Sequence, residues 1–94
     1  MTPQRIQRRR TKGWKMPENT VYVGRPSVYG NNFFPQSEGV ERAIENYREW
    51  LEQHMAANTY MVAHVKALRG KHLACWCPLD QPCHADVLLE IANN

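Results

Sequence analysis

Two short runs of strand-forming residues, Thr20 to Gly24 (Thr-Val-Tyr-Val-Gly) and Lys71 to Cys77, bracket a long stretch whose apolar positions recur at helical spacing. Strands joined through helices do not form a tight hairpin; the crossover lets them lie parallel in an α/β sheet. Each run leads straight into a loop with chemical content, Gly24 to Phe33 after the first and Cys75 to Asp86 at the end of the second. Ligands of open parallel sheets bind at the carboxyl ends of the strands. The two loops are therefore expected to build one site.

Between the runs, Ser37 is placed to cap a helix whose residues Val40, Ala43, Ile44, Tyr47, Trp50 and Leu51 share a face. Asn58 or Thr59 starts a second helix through Met61, Val65 and Leu68, and Gly70 ends it. Pro82 suits the first position of a last helix with Val87, Leu88 and Ile91 facing inward. The predicted fold is a small single α/β domain, strand-helix-helix-strand-helix, with a short and mostly parallel sheet. Residues 16–94 form that domain, and residues 1–15 read as a basic arm or as an extra amino-terminal edge strand in which Arg5 to Arg9 pairs beside the Thr20 run. A chain of 94 residues, 43% of them hydrophobic, has room for one core. His54, His64 and His72 are isolated, and Met55, Met61 and Trp50 read as packing residues.

Charge is unevenly spread. Arg5, Arg8, Arg9, Arg10, Lys12 and Lys15 all precede the first acid, Glu18, although the net charge of the chain is only +3. Such a segment holds phosphates, and Trp14 could stack on a base, so nucleic acid or an acidic protein surface is a candidate partner for residues 1–15. A solvated tail or a charged edge strand has the same composition. The arm is also the expected cation source for Glu41, Glu45 and Glu49, which repel one another along the first helix. No apolar run approaches the roughly 18 residues of a membrane span, and the arginine-rich amino terminus does not read as a secretory signal. A cytoplasmic, reducing setting is expected, with no membrane partner.

Three cysteines crowded between positions 75 and 83 fit metal ligation or thiol chemistry better than a disulfide framework. In Cys75-Trp76-Cys77, strand alternation puts both sulfurs on one face and the indole on the other. With Cys83 and His84 they supply three sulfurs and one nitrogen, a donor set that zinc accepts. A competing reading makes Cys83 a thiolate nucleophile activated by a helix start and by His84. A third leaves Cys75 and Cys77 as small buried hydrophobes and His84 as a hydrogen-bonding group at a helix start. In the other loop Gly24, Arg25, Pro26, Ser27, Gly30 and Asn31 offer backbone amides, a guanidinium fork, a hydroxyl and an amide to an anionic, nucleotide-like ligand. The same residues also suit a structural turn in which Arg25 ties the loop to a helix end or to Asp86. Asp86 favours a helix start, and could orient His84 or Arg25 or assist catalysis together with a metal-bound water.

The ordered set Val-Tyr-Val-Gly-Arg-Pro-Ser (21 to 27), Gly30-Asn31, Phe33, Leu68-Arg69-Gly70-Lys71, Leu73-Ala74-Cys75-Trp76-Cys77 and Cys83-His84-Ala85-Asp86-Val87-Leu88 resembles domain-of-unknown-function family four-three-two-six from about Thr20 to the end. Members usually have Trp-Gly-Asn-Pro-Phe where this chain has Tyr29-Gly30-Asn31-Asn32-Phe33, which leaves a less rigid turn at Asn32. The resemblance implies a phage or prophage setting and a paired-motif site, and it names no reaction. The leading functional expectation is binding, with hydrolysis conceivable, of a nucleotide-like or phosphorylated ligand beside a zinc-holding Cys/His cluster. The alternative is a zinc-stabilised, non-catalytic module that binds nucleic acid or an acidic host protein through its basic arm.

Overall fold

The computed structural model describes residues 2–25, 27–30 and 39–94. It contains β1 (Arg5–Gln7), β2 (Thr20–Tyr22), α1 (Gly39–Ala57), α2 (Thr59–Lys66), β3 (His72–Cys75) and α3 (His84–Ala92). The expectations for Pro26, Asn31, Asn32, Phe33 and Ser37 fall outside the described residues. Among the described residues no helix is long and apolar enough to cross a membrane.

The sheet has the order β1-β3-β2, and both pairs are parallel. All four residues of β3 are buried, as a central parallel strand requires. Its amides and carbonyls are used on both sides: His72 N–H donates to the Asn19 carbonyl, Leu73 N–H to that of Gln4, while the Ala74 and Cys75 carbonyls accept from Val23 and Arg8. The extra amino-terminal edge strand is present, but it pairs with β3 and not with β2 as expected. The connection from β1 to β2 returns parallel, so the Gly13 and Pro17 region makes no hairpin, and the free edge of β3 is what β1 covers.

Register sorts the two faces. Arg5 lies level with Leu73 and Val21, and Gln7 with Cys75, on the side where the helices pack; Ile6 lies level with Ala74 and Tyr22 on the other. The core joins Val23, Leu73 and Cys75 to Tyr47, Leu51, Met61, Val65, Val87 and Leu88. Parallel crossovers are right-handed, and β1 to β2 runs across the sheet opposite to β2 to β3. The helices therefore occupy one face, and the basic β1–β2 connection is carried over the other.

Local chemistry sets the helix ends. Asn58 caps α2 by accepting from Tyr60 N–H (2.9 Å), and Gly70, at φ +78°, closes the turn after it. Helix α3 starts two residues later than Pro82 predicts, at His84: Cys83 is the extended N-cap residue, and the Asp86 carboxylate accepts its N–H at 3.2 Å. On α1, Ala43, Tyr47 and Leu51 are buried, whereas Val40, expected to face inward, is 37% exposed. Two acids of α1 meet cations of the same helix, Glu45 with Arg42 and Glu52 with Arg48, and Arg48 also pairs with Glu90 of α3. The amino-terminal Arg5 pairs instead with Asp86.

A buried relay holds the loop after β2 against the helices. The Tyr47 hydroxyl donates to the Tyr29 carbonyl (2.7 Å), and the Tyr29 hydroxyl donates to the His64 carbonyl (2.8 Å). Tyr47→Phe removes one bond and leaves a buried carbonyl unpaired, so urea unfolding should show a loss of about 1–3 kcal/mol; an unchanged midpoint and slope would remove Tyr47 as the anchor of this loop.

Candidate functional site

The loops after β2 and β3 meet at the carboxyl edge of the sheet around a cleft of about 370 Å³. Gly24 and Arg25 contribute one wall, Cys75, Cys77, Cys83 and His84 another, and Val40, Ala43 and Ile44 of α1 close the third. This is the placement that the parallel arrangement predicts. Tyr22 and Trp76 reach the rim.

The loop after β2 is wound tightly on itself. Ser27 N–H donates to the Gly24 carbonyl (2.9 Å), Gly30 N–H to the Ser27 carbonyl (3.0 Å), and the Tyr22 hydroxyl to the Arg25 carbonyl (2.7 Å). A Cβ at Gly24 would come within 2.6 Å of the Tyr22 ring, and one at Gly30 within 2.8 Å of Arg25 Cγ. Both positions require glycine for close approach. Of the expected ligand-binding residues, Gly24 and Arg25 line the cleft, while Ser27 and Gly30 shape the loop behind it. Pro26 and Asn31 lie outside the described residues.

The three cysteine sulfurs lie within 4.8 Å of one another and could hold a metal ion. They converge because Cys75 ends β3 on its helix-facing side, Cys77 follows two residues on, and the extended Cys83 turns its side chain back at the start of α3. Cys75 and Cys83 are both 1% exposed, with sulfurs 3.1 Å apart. The hydrogen bond between these thiols, together with burial, pushes the Cys83 thiol up to about 12, and the same bond, working against burial, draws that of Cys75 below its ordinary value. Burial raises Cys77. At Cys83 the hydrogen bond to Cys75 and burial outweigh the lowering by His84 and by the backbone at the helix start, the opposite of the direction an activated thiolate needs.

His84 stands beside this group. Its Nε2–H donates to the Val23 carbonyl at 2.7 Å, and its Nδ1 lies 3.6 Å from Cys83 Sγ. The Val23 bond fixes the tautomer, so in the neutral ring Nδ1 carries the lone pair. Tyr47 packs edge-on against the imidazole, 5.1 Å between centroids. The Asp86 carboxylate, in contrast, is engaged by Arg5 Nη1 (3.0 Å) and by Cys83 N–H, and it does not line the cleft. It orients neither His84 nor Arg25.

Arg5 is the site residue that sequence reasoning missed. Its side chain is 8% exposed; one arm of the guanidinium holds Asp86 and the other the Pro78 carbonyl (2.9 Å). It thereby clamps the loop from Cys77 to Cys83 onto β1. Its position in a run of charged residues hides this role, and only strand parity, with Arg5 and Gln7 on one face, could have revealed it. Tyr22, Trp76 and the wall from α1 were also missed; the aromatics are legible as strand-end residues one step out of phase with the core. In metal-free, reduced protein near neutral pH, iodoacetamide mapping should find Cys83 alkylated at least about tenfold more slowly than free cysteine. Labelling of Cys83 as fast as free thiol would contradict the bonded, buried pair.

No curated protein and no solved structure matches the chain. The profile of the family described as "Domain of unknown function (DUF4326)" matches residues 6–94, which span β1 to the end of α3 and both loops of the cleft. By that match the chain belongs to the DUF4326 family.

Proposed function

We propose that this chain binds a nucleotide-like or otherwise phosphorylated small ligand in the cleft at the carboxyl edge of its sheet, beside a zinc ion held by Cys75, Cys77, Cys83 and His84. The observation that carries the reading is the convergence of three sulfurs within 4.8 Å of one another on the wall of the same cleft that Gly24 and Arg25 line. Three soft thiolate donors favour zinc over harder ions. The Nε2–H bond from His84 to the Val23 carbonyl is the outer-shell contact typical of a ligating histidine, with Nδ1 as the donor left for the metal. Bound there, zinc would supply cross-linking of the end of β3 to the start of α3.

The ligand chemistry follows from the other walls. Arg25 offers a planar cationic fork. The amino-terminal turns of α1 and α3 border the cleft through Val40, Cys83 and His84, and both carry the positive end of a helix dipole. Val40, Ala43 and Ile44 give an apolar surface for a base or similar ring. A volume of about 370 Å³ lies near the lower end of the roughly 300–1,000 Å³ usual for small-molecule pockets.

Two measurements test the reading. Elemental analysis of protein purified without a histidine tag should give close to one zinc per chain, lost in Cys83→Ala and weakened by about 10–100-fold in affinity in His84→Ala; metal-free protein that neither takes up zinc nor gains thermal stability from it would overturn the metal centre. Calorimetric titration with nucleoside mono-, di- and triphosphates should show binding that Arg25→Ala weakens. Failure of all of them to bind at millimolar concentration would overturn the ligand assignment.

A further inference from the structure

The cleft continues into the basic connection between β1 and β2 through one side chain. Trp76 lines the cleft, is 40% exposed, and carries the guanidinium of Arg8 at 4.7 Å and that of Arg10 at 5.0 Å from its ring centroid. Arg8 lies equally close to the Tyr22 ring, 4.7 Å, and its backbone N–H is bonded to the Cys75 carbonyl. Arg8 is thus a spacer between two rim aromatics, and it fixes where the connection leaves the sheet. Beyond it, Arg9, Arg10, Lys12 and Lys15 are exposed, and Trp14 is half-buried after a turn closed by Trp14 N–H to the Thr11 carbonyl.

These cations differ from Arg5 and from the arginines of α1, although Lys66, Arg69 and Lys71 likewise meet no carboxylate among the described residues. On α1 the arginines meet carboxylates, and Arg5 is neutralised by Asp86. Among the described residues no carboxylate pairs with Arg9, Arg10, Lys12 or Lys15. Four exposed cations in a stretch of seven residues, starting at the mouth of a cleft with room for a single nucleotide-sized group, make a track for several phosphates in series. The aromatic side chains at the junction favour bases over a purely acidic surface, since every base offers a face for stacking and cation–π contact.

Resting on the proposed function, we infer that the ligand of the cleft is the terminal nucleotide of a single-stranded nucleic acid, whose following phosphates run along residues 9–15. The terminal group takes the Arg25 side of the cleft, and the strand leaves past Trp76. The β1–β2 connection, carried over the face opposite the helices, then has a function that its charge alone does not specify.

The test compares a labelled oligothymidylate and an oligouridylate of about eight nucleotides, within the usual 4–16 of a single-strand site, with the corresponding mononucleotides. The oligonucleotides should bind at least about tenfold more tightly at low salt. Each neutralised phosphate contributes about −0.7 to the slope of log affinity against log salt, so four cations predict a slope of about −3. The triple variant Arg9→Gln, Lys12→Gln, Lys15→Gln, checked for native circular dichroism, should cut that slope by about two and abolish the gain, with mononucleotide affinity unchanged. Equal affinity for mono- and oligonucleotides, or a triple variant with the wild-type slope, would overturn the inference and leave the proposed function standing. Polyglutamate of matched length binding as tightly as the oligonucleotide would overturn it in favour of an acidic protein surface. If the mononucleotides also fail to bind, the proposed function falls with it.

Discussion

Everything at the site depends on the parallel pairing of β3 with a neighbour on each side. Because β1, β2 and β3 run in one direction, their carboxyl ends lie along one edge, and the segments that follow them meet there: Arg8 after β1, Gly24 and Arg25 after β2, Cys77 after β3. An antiparallel partner for β3 would send one of these segments to the far edge and dissolve the cleft. Right-handed crossovers then divide the remaining chain, with helices on one face and the basic connection on the other. The cleft thus joins a neutral, apolar wall from α1 to a cationic surface on the reverse of the sheet.

Strands of three or four residues cannot fix loops by backbone bonding alone, and side chains complete the task. Tyr47 and Tyr29 hold the loop after β2, Arg5 holds the loop between Cys77 and Cys83, and His84 ties the start of α3 to Val23 at the end of β2. Three of these bonds end on backbone carbonyls of irregular segments, and those of Tyr29 and Val23 are buried and would otherwise lack these partners. The mostly buried Arg5 stands where an unpaired charge would be costly, and it is compensated by a carboxylate and a carbonyl together.

The α/β class, the order of the helices and the meeting of the two loops were legible because each rests on a local signal: β-branched runs, helical spacing, Asn58 as a cap, Gly70 as a stop. What was not legible depends on contacts distant in sequence. Arg-Ile-Gln at 5 to 7 has no periodicity that names a partner, and only the uncovered edge of β3 decides that β1 docks there. Pro82 signals a helix start, yet Asp86, by accepting the Cys83 N–H, sets the boundary after it. Cys83 beside a helix start reads as acidic until the sulfur of Cys75, eight residues earlier, is known to lie 3.1 Å away. The sulfur cluster was legible in composition and its nearness to Arg25 in topology, but the clamp on it from Arg5 was not.

The size of the domain gives a physical reason for concentrating thiols where they are. A three-stranded sheet covered by helices on one face buries little apolar area per residue, and domains of this scale commonly gain stability from a cross-link that the core cannot supply. The irregular segment from Trp76 to Pro82 is mostly exposed and joins the central strand to the helix that packs on it. Cys75 and Cys77 stand at one end of that segment and Cys83 at the other. A soft ion drawing the three sulfurs together would close a short loop, where little entropy remains to be removed, so its main effect would be to fix the position of α3 relative to β3. Since the start of α3 forms part of the cleft wall, an ion held by the three sulfurs would also fix the shape of the cleft, and its loss would be felt there.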